Sequence, residues 1–157
     1  MIRVRGMAAG DAPVLARIFW RGVREGAAGA YDAAQRAAWC PAVPEGPAWE
    51  TRLAAGETLV AERDGAPVGF MTWRPSDGVL DLAFVLPEEM GRGTAGRLAD
   101  AVEADARAAG LARLTTEASD LARPFLARRG WRVVAGQTVE RQGVRLRNTL
   151  MELRLDG

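Results

Sequence analysis

Between residues 11 and 23 the apolar side chains Leu15, Ile18, Phe19 and Val23 recur at three- and four-residue intervals, which predicts a helix with one buried stripe. Asp11 stands where its N-cap belongs. Gly26 and Gly29 interrupt the rhythm, and a second helical piece is predicted over residues 31–39, stopping before Pro41. Pro41, Pro44, Gly46 and Pro47 read as a loop. From Glu57 the period shortens to that of strands. Residues 58–63, 68–73 and 79–86 are apolar runs separated by Asp64-Gly65 and Ser76-Asp77-Gly78, and these turns predict an antiparallel meander. Residues 2–5 read as a short strand ahead of it. A helix over 93–109 presents Leu98, Ala101, Val102, Ala106 and Ala109 inward and Asp100, Glu103 and Arg107 outward, and Gly110 ends it. A strand over 111–116, a helix over 119–129 and a hairpin of 131–139 and 144–155 about Gln142-Gly143 complete the chain. This order implies one α/β domain over residues 1–157, a mixed, mostly antiparallel twisted sheet flanked by helices.

Composition narrows the class without naming it. With 157 residues, 48% of them apolar, the chain can bury a sizeable core but has no length for a second domain. Lys and Arg number 21 against 20 Asp and Glu, and the arginines are scattered, so neither nucleic acid nor a membrane surface is an expected partner. No uninterrupted apolar stretch reaches the ~18 residues of a membrane helix, and Met1-Ile2-Arg3-Val4-Arg5 lacks the apolar run of a signal peptide. The cytoplasm is therefore the default location. Abundant Ala, Arg and Gly point to a GC-rich genome rather than to a function. The sharpest constraint is an absence: there is no histidine, and Cys40 is the single cysteine. That excludes an intrachain disulfide, a Ser-His or Cys-His nucleophile pair and most zinc sites, and no metal is expected. Acid–base work falls to carboxylates, tyrosine, a thiol or water.

The chemistry concentrates in the segment from Val85 to Leu98, where Gly91, Gly93 and Gly96 precede and open a helix. Glycines there let a ligand approach the backbone, and the free N–H groups of the first turn, aided by the helix dipole, suit a phosphate or pyrophosphate. A glycine-tolerant helix start without a ligand is the plainer alternative. The three glycines also satisfy the dinucleotide fingerprint, with Glu117 downstream. Context rejects that reading: the loop follows an antiparallel meander rather than the first strand of a βαβ unit, and too little chain remains for a Rossmann domain.

Met90, Gly93 and Ala95 occupy the three defined places of the Q/R-x-x-G-x-G/A acetyl-CoA loop, and here the chain resembles the GCN5-related N-acetyltransferase family over nearly its whole length. Met90 departs from the usual Gln or Arg, which removes a polar side-chain contact. The run Leu82-Ala83-Phe84-Val85-Leu86-Pro87 is similar to the family's fourth strand, whose splayed end bonds the pantetheine arm, and Ala118-Ser119, Ala122, Phe125 and Gly130-Trp131 to its fifth strand, helix and glycine-aromatic corner. Tyr31, Gln35, Trp39, Arg123-Pro124-Phe125 and the segment from Val139 to Val144 are similar to a group of bacterial members. The resemblance implies the acyl-CoA N-acyltransferase fold and direct transfer from acetyl-CoA to a primary amine of a small molecule or peptide. The implied cofactor residues are Ala83, Phe84, Val85, Met90, Gly91, Arg92, Gly93, Thr94, Ala95, Gly96, Ser119 and Phe125. A homodimer is compatible with it. A non-catalytic acyl-CoA-binding or sensing module on the same fold is the other class.

Transfer requires a base for the ammonium proton and stabilisation of the carbonyl oxygen. Asp81 lies in a central strand apolar on both faces, where a lone carboxylate is costly, and the family's base often comes from this strand. The alternative is that Asp81 is exposed at the hairpin end or paired with an arginine. Glu117 is the second candidate base, or a solvated strand-end carboxylate. Leu126 stands where the family has its tyrosine acid. Tyr31, the one tyrosine, is the remaining candidate acid or a packing residue, and Ser119 caps a helix or touches the cofactor.

Overall fold

The meander forms as its turns dictate. In the computed structural model, which describes residues 1–156, β1 (Ile2–Gly6), β2 (Glu57–Arg63), β3 (Ala66–Arg74) and β4 (Val79–Val85) pair antiparallel in that order. β5 (Arg113–Ser119) runs parallel to β4, then antiparallel to the last strand of the hairpin β6 (Arg132–Arg141) and β7 (Val144–Arg154). The sheet order is β1-β2-β3-β4-β5-β7-β6, the mixed, mostly antiparallel sheet expected. At the last turn Gln142 and Gly143 take φ of 51° and 74°, the left-handed pair whose twist matches the flanking strands.

Helices cover both faces. α1 (Ala12–Arg21) continues into a π-helical turn, Gly22–Gly26, before α2 (Ala33–Trp39), α3 (Gly46–Ala54), α4 (Thr94–Ala108) and α5 (Arg123–Arg128). On one face Leu98, Val102 and Ala106 of α4 pack with Met71, Trp73, Leu114 and Met151. On the other, Leu15, Ile18 and Phe19 of α1 and Trp49 and Leu53 of α3 pack with Val60, Phe70 and Leu82. A third, smaller cluster joins Tyr31 and Ala38 to Leu146, with Trp39, Leu121 and Val139 packed against it.

Several boundaries differ from expectation for local reasons. The loop read over Pro41 to Pro47 ends early, because Pro47 sits in the first turn of α3, where its missing N–H costs nothing. α2 starts at Ala33 rather than Tyr31: Asp32 accepts from Gln35 N at 2.8 Å while Gln35 Oε1 accepts from Asp32 N at 3.0 Å, a reciprocal cap. Asp11 holds the cap position of α1 but gives its carboxylate to Arg5, at 2.8 and 3.1 Å, and to Ala8 N. Ser119 closes β5 instead of opening a helix, and its Oγ accepts from Ala122 N at 3.1 Å. Ala109 lies beyond α4 and is exposed, whereas Glu103 turns inward to Arg129 at 3.1 Å. Burial pushes the Cys40 thiol up to about 11, as suits an inert apolar side chain.

Candidate active site

The central opening arises where β4 and β5 part. Their one register pair is Val79 with Thr115, reinforced by Thr115 N donating to Gly78 O at 2.9 Å and Thr116 Oγ1 to Leu80 O at 2.7 Å. Beyond that point the strands diverge, and the edge of β4 from Asp81 to Val85 is left without a β5 partner. A buried strand edge without partners is costly unless a ligand or water completes it. The divergence opens a cleft of about 750 Å³, lined by Leu80–Val85 on one side and by Thr116–Ser119 and Phe125 on the other. Opposite β3 the same strand carries a bulge: Trp73 faces Leu80 and Thr72 faces Leu82, so Asp81 is the extra residue.

The cleft ends at the start of α4. Gly91 and Gly93 have φ of 79° and 85°, a region disfavoured for other residues, and a methyl group at either would meet nothing within 4 Å. The space beside the backbone is therefore open. The first helical bond is Arg97 N to Gly93 O, so the amides of Thr94, Ala95 and Gly96 have no intrahelical acceptor. Beneath the loop lies a brace that sequence reasoning missed. The buried Glu89 carboxylate accepts from Arg63 at 2.9–3.2 Å, from the fully buried Thr94 hydroxyl at 2.7 Å and from Arg92 at 3.3 Å. Arg63's hydrogen bonds hold that carboxyl below the usual glutamate range. No local pattern signals this brace, since Arg63 comes from β2. Met90 is 44% exposed at the cleft and supplies no polar group.

Asp81, Glu117 and Tyr31 all line this one cleft. The apolar surroundings expected of Asp81 are not what the fold supplies. The bulge turns its carboxylate to Arg52 of α3, at 3.1 and 3.3 Å, and Arg74 Nη1 stands 3.7 Å away. Glu117 is exposed, and among the described residues its carboxylate accepts one hydrogen bond, from Asn148 Nδ2 at 3.5 Å. Asn148 is in turn oriented by Gln137 Nε2, which donates to its Oδ1 at 3.1 Å across the β6–β7 pair. Tyr31 is buried, donates its hydroxyl proton to Arg147 O at 2.6 Å and accepts from Asp120 N at 2.8 Å. Burial raises its phenol above the ordinary value. Its hydroxyl thus ties the segment before α2 to β5 and β7. Leu126 is buried in the α4-side core with no polar group in its place.

A seven-stranded mixed sheet opened between a parallel pair, with free helix amides at the end of the opening, is the architecture of an acyltransferase that takes its acyl group from coenzyme A. The comparisons agree. Residues 27–155 match the family model for the acetyltransferase (GNAT) domain. The uncharacterised N-acetyltransferase YafP of Escherichia coli K12 is 33% identical over 150 residues, 96% of this chain and 94% of that protein. The crystal structure of a GCN5-related N-acetyltransferase from Rhodopseudomonas palustris superposes with a TM-score of 0.91 at 35% identity, covering 98% of this chain and 95% of that one. At 22% identity, the acetyltransferase yncA of Salmonella typhimurium, solved with its cofactor acetyl-CoA, shares the fold with a TM-score of 0.70 over 100% of this chain and 95% of its own. The chain belongs to the GCN5-related N-acetyltransferase family.

Proposed function

We propose that this protein transfers the acetyl group of acetyl-CoA directly to a primary amine of a small molecule or a peptide, in the cytoplasm of a bacterium. The observation that carries the reading is the parting of β4 from β5, which runs to the three unpaired amides that open α4. These residues fit acetyl-CoA. Thr94, Ala95 and Gly96 would hold the pyrophosphate through backbone N–H groups, and the free edge of Ala83–Val85 would bond the pantetheine amides. Phe125 and Ser119 would form the wall opposite. The Glu89 brace sets the pitch of the first helical turn by holding Thr94 from below.

When bound, acetyl-CoA supplies an activated carbonyl carbon and a thiol leaving group. The chain must free the amine of its extra proton and hold it at the opening. Glu117 is the better base, because its oxygens are nearly unencumbered, and it acts directly or through water. Asp81, with guanidinium groups on both oxygens, is the second choice and serves more readily to anchor Arg52 and Arg74. The amine nitrogen then forms its bond to the acetyl carbon as the carbon–sulfur bond breaks. Thiolate can depart without a dedicated acid, since a free thiol has a pKa of about 8.5; Leu126 offers none, and the Tyr31 proton is committed to Arg147 O. Met90 and Leu126 also favour a second reading, a module that binds acyl-CoA without turnover. A thiol reagent read with and without a panel of amines separates the two. Amine-dependent release of CoA supports transfer, and binding of acetyl-CoA with no release under any amine supports the sensor.

A further inference from the structure

The third apolar cluster stands apart from the α4-side core and meets the other core through Trp39, whose ring lies 5.9 Å from that of Phe84. Tyr31, Trp39, Leu121, Val139 and Leu146 belong to it, and all five line the cleft. They stand on the same side of the sheet as Glu117. Ser119 faces Asn148 across β5–β7, Asn148 faces Gln137 and Leu146 faces Val139 across β7–β6, and directly opposed or alternate residues share a face. Glu117 and Ser119 are alternate residues of β5, so carboxylate and apolar wall look into one space. The wall is also stiff. The Tyr31 hydroxyl bonds at both Arg147 O and Asp120 N, Gln35 Nε2 donates to Arg145 O at 3.1 Å, and the Tyr31 and Trp39 rings meet edge to face at 5.6 Å between centroids. Rigid aromatic surfaces of this kind favour apolar, ring-sized ligands.

Charge restricts the ligand further. Of the carboxylates lining this cleft, Asp81 is taken by Arg52 and Arg74 and Glu89 by Arg63 and Arg92. Among the described residues Glu117 is the one of these anions without a cationic partner, and Arg141, whose side chain donates to Glu140 O, adds a positive charge at the rim. A single ammonium finds a partner here. A second ammonium on the same molecule finds arginines.

We infer that the acceptor is a monoamine that carries an apolar, ring-sized group, which seats against Trp39, Val139 and Leu146. The chemistry is shared by a free arylalkylamine and by a peptide whose first residue is aromatic. This rests on the transfer reading above. The test is steady-state kinetics with acetyl-CoA and four acceptors, phenethylamine, the peptide Phe-Gly-Gly, ethanolamine and spermidine, on the wild type and on Trp39→Ala. The wild type should prefer phenethylamine or Phe-Gly-Gly over ethanolamine and spermidine by at least about tenfold in kcat/KM, the scale on which apolar pockets discriminate. The better of the first two identifies the source. Trp39→Ala should erase the preference through KM for the amine, with acetyl-CoA affinity retained. Should that variant fail to fold, Val139→Asn on the exposed edge strand makes the same test. Equal or better use of ethanolamine or spermidine, or a preference that survives both substitutions, overturns the inference while leaving transfer intact. Acetyl-CoA binding with no turnover of any acceptor instead overturns the transfer reading, and this inference with it.

Discussion

Replacing Gly93 by valine sets backbone strain against helix packing. Gly93 has φ of 85°, and a Cβ there would meet nothing within 4 Å, so the penalty is torsional rather than steric crowding. A side chain in the left-handed region costs about 1–2 kcal/mol, and a β-branched one falls at the upper end or beyond. α4 is held by Leu98 and Val102, each worth about 1.5–3 kcal/mol on full burial, so the helix stays docked and the strain falls on the loop. A penalty near 2 kcal/mol corresponds to a fall in melting temperature of about 4–8 °C for a chain of this length. The loop escapes the strain by rotating Gly93, which swings the amides at the start of α4 away from their common focus. Losing two hydrogen bonds to a charged group, at about 1.5–3 kcal/mol each, weakens binding by about 3–6 kcal/mol, a factor of roughly 10²–10⁴. Calorimetric titration with acetyl-CoA, alongside thermal unfolding, measures both quantities. A folded Gly93→Val protein that binds acetyl-CoA with wild-type affinity would refute the assignment of the pyrophosphate to this loop.

Glu117→Gln should lower kcat/KM about 10²-fold or more, the usual scale for removing a general base, and Asp81→Asn should cost less; the opposite ranking would make Asp81 the base. Tyr31→Phe leaves the Asp120 amide without its acceptor, worth about 1–3 kcal/mol or roughly 2–12 °C in melting temperature, while the pH–rate profile keeps its basic limb. Disappearance of that limb would make Tyr31 the acid. Because Arg63 lowers the Glu89 carboxyl in the folded protein, its stabilisation is complete above the ordinary glutamate value of about 4.3 and is lost as pH falls through the lower folded value. Melting temperature should therefore decline below roughly pH 4, and less steeply in Arg63→Met; parallel curves for the two proteins would deny the brace this role.

What could be read from the sequence was what neighbours along the chain determine. Asp64-Gly65 and Gln142-Gly143 place two hairpins because a turn needs only its own residues and the alternation beside them. The helix after Gly93 was equally legible, since its apolar stripe and its glycine start are both local. α3 was not: Pro44, Gly46 and Pro47 look like a loop, and a nine-residue helix holding only Trp49 and Leu53 inward gives a weak stripe. Asp81, Glu117 and Tyr31, which line the cleft, could be picked out along the chain, and their surroundings could not. Asp81 reads as an isolated acid in an apolar strand, but its partner Arg52 lies 29 residues away and the bulge depends on how β3 registers against β4. Glu89 depends in the same way on Arg63, 26 residues earlier. The opening itself belongs to β4 and β5, which a whole helix separates in the chain.

The most direct measurement is the electron density of acetyl-CoA in crystals of the wild-type protein. The pyrophosphate oxygens should lie about 3 Å from the amides of Thr94, Ala95 and Gly96, the ordinary length of such a hydrogen bond. The pantetheine should follow the free edge of Ala83–Val85, and the thioester should emerge between β4 and β5 on the side of Glu117 and Trp39. Density for the pyrophosphate away from α4, or a thioester pointing away from Glu117 and Asp81 alike, would contradict direct transfer in this cleft.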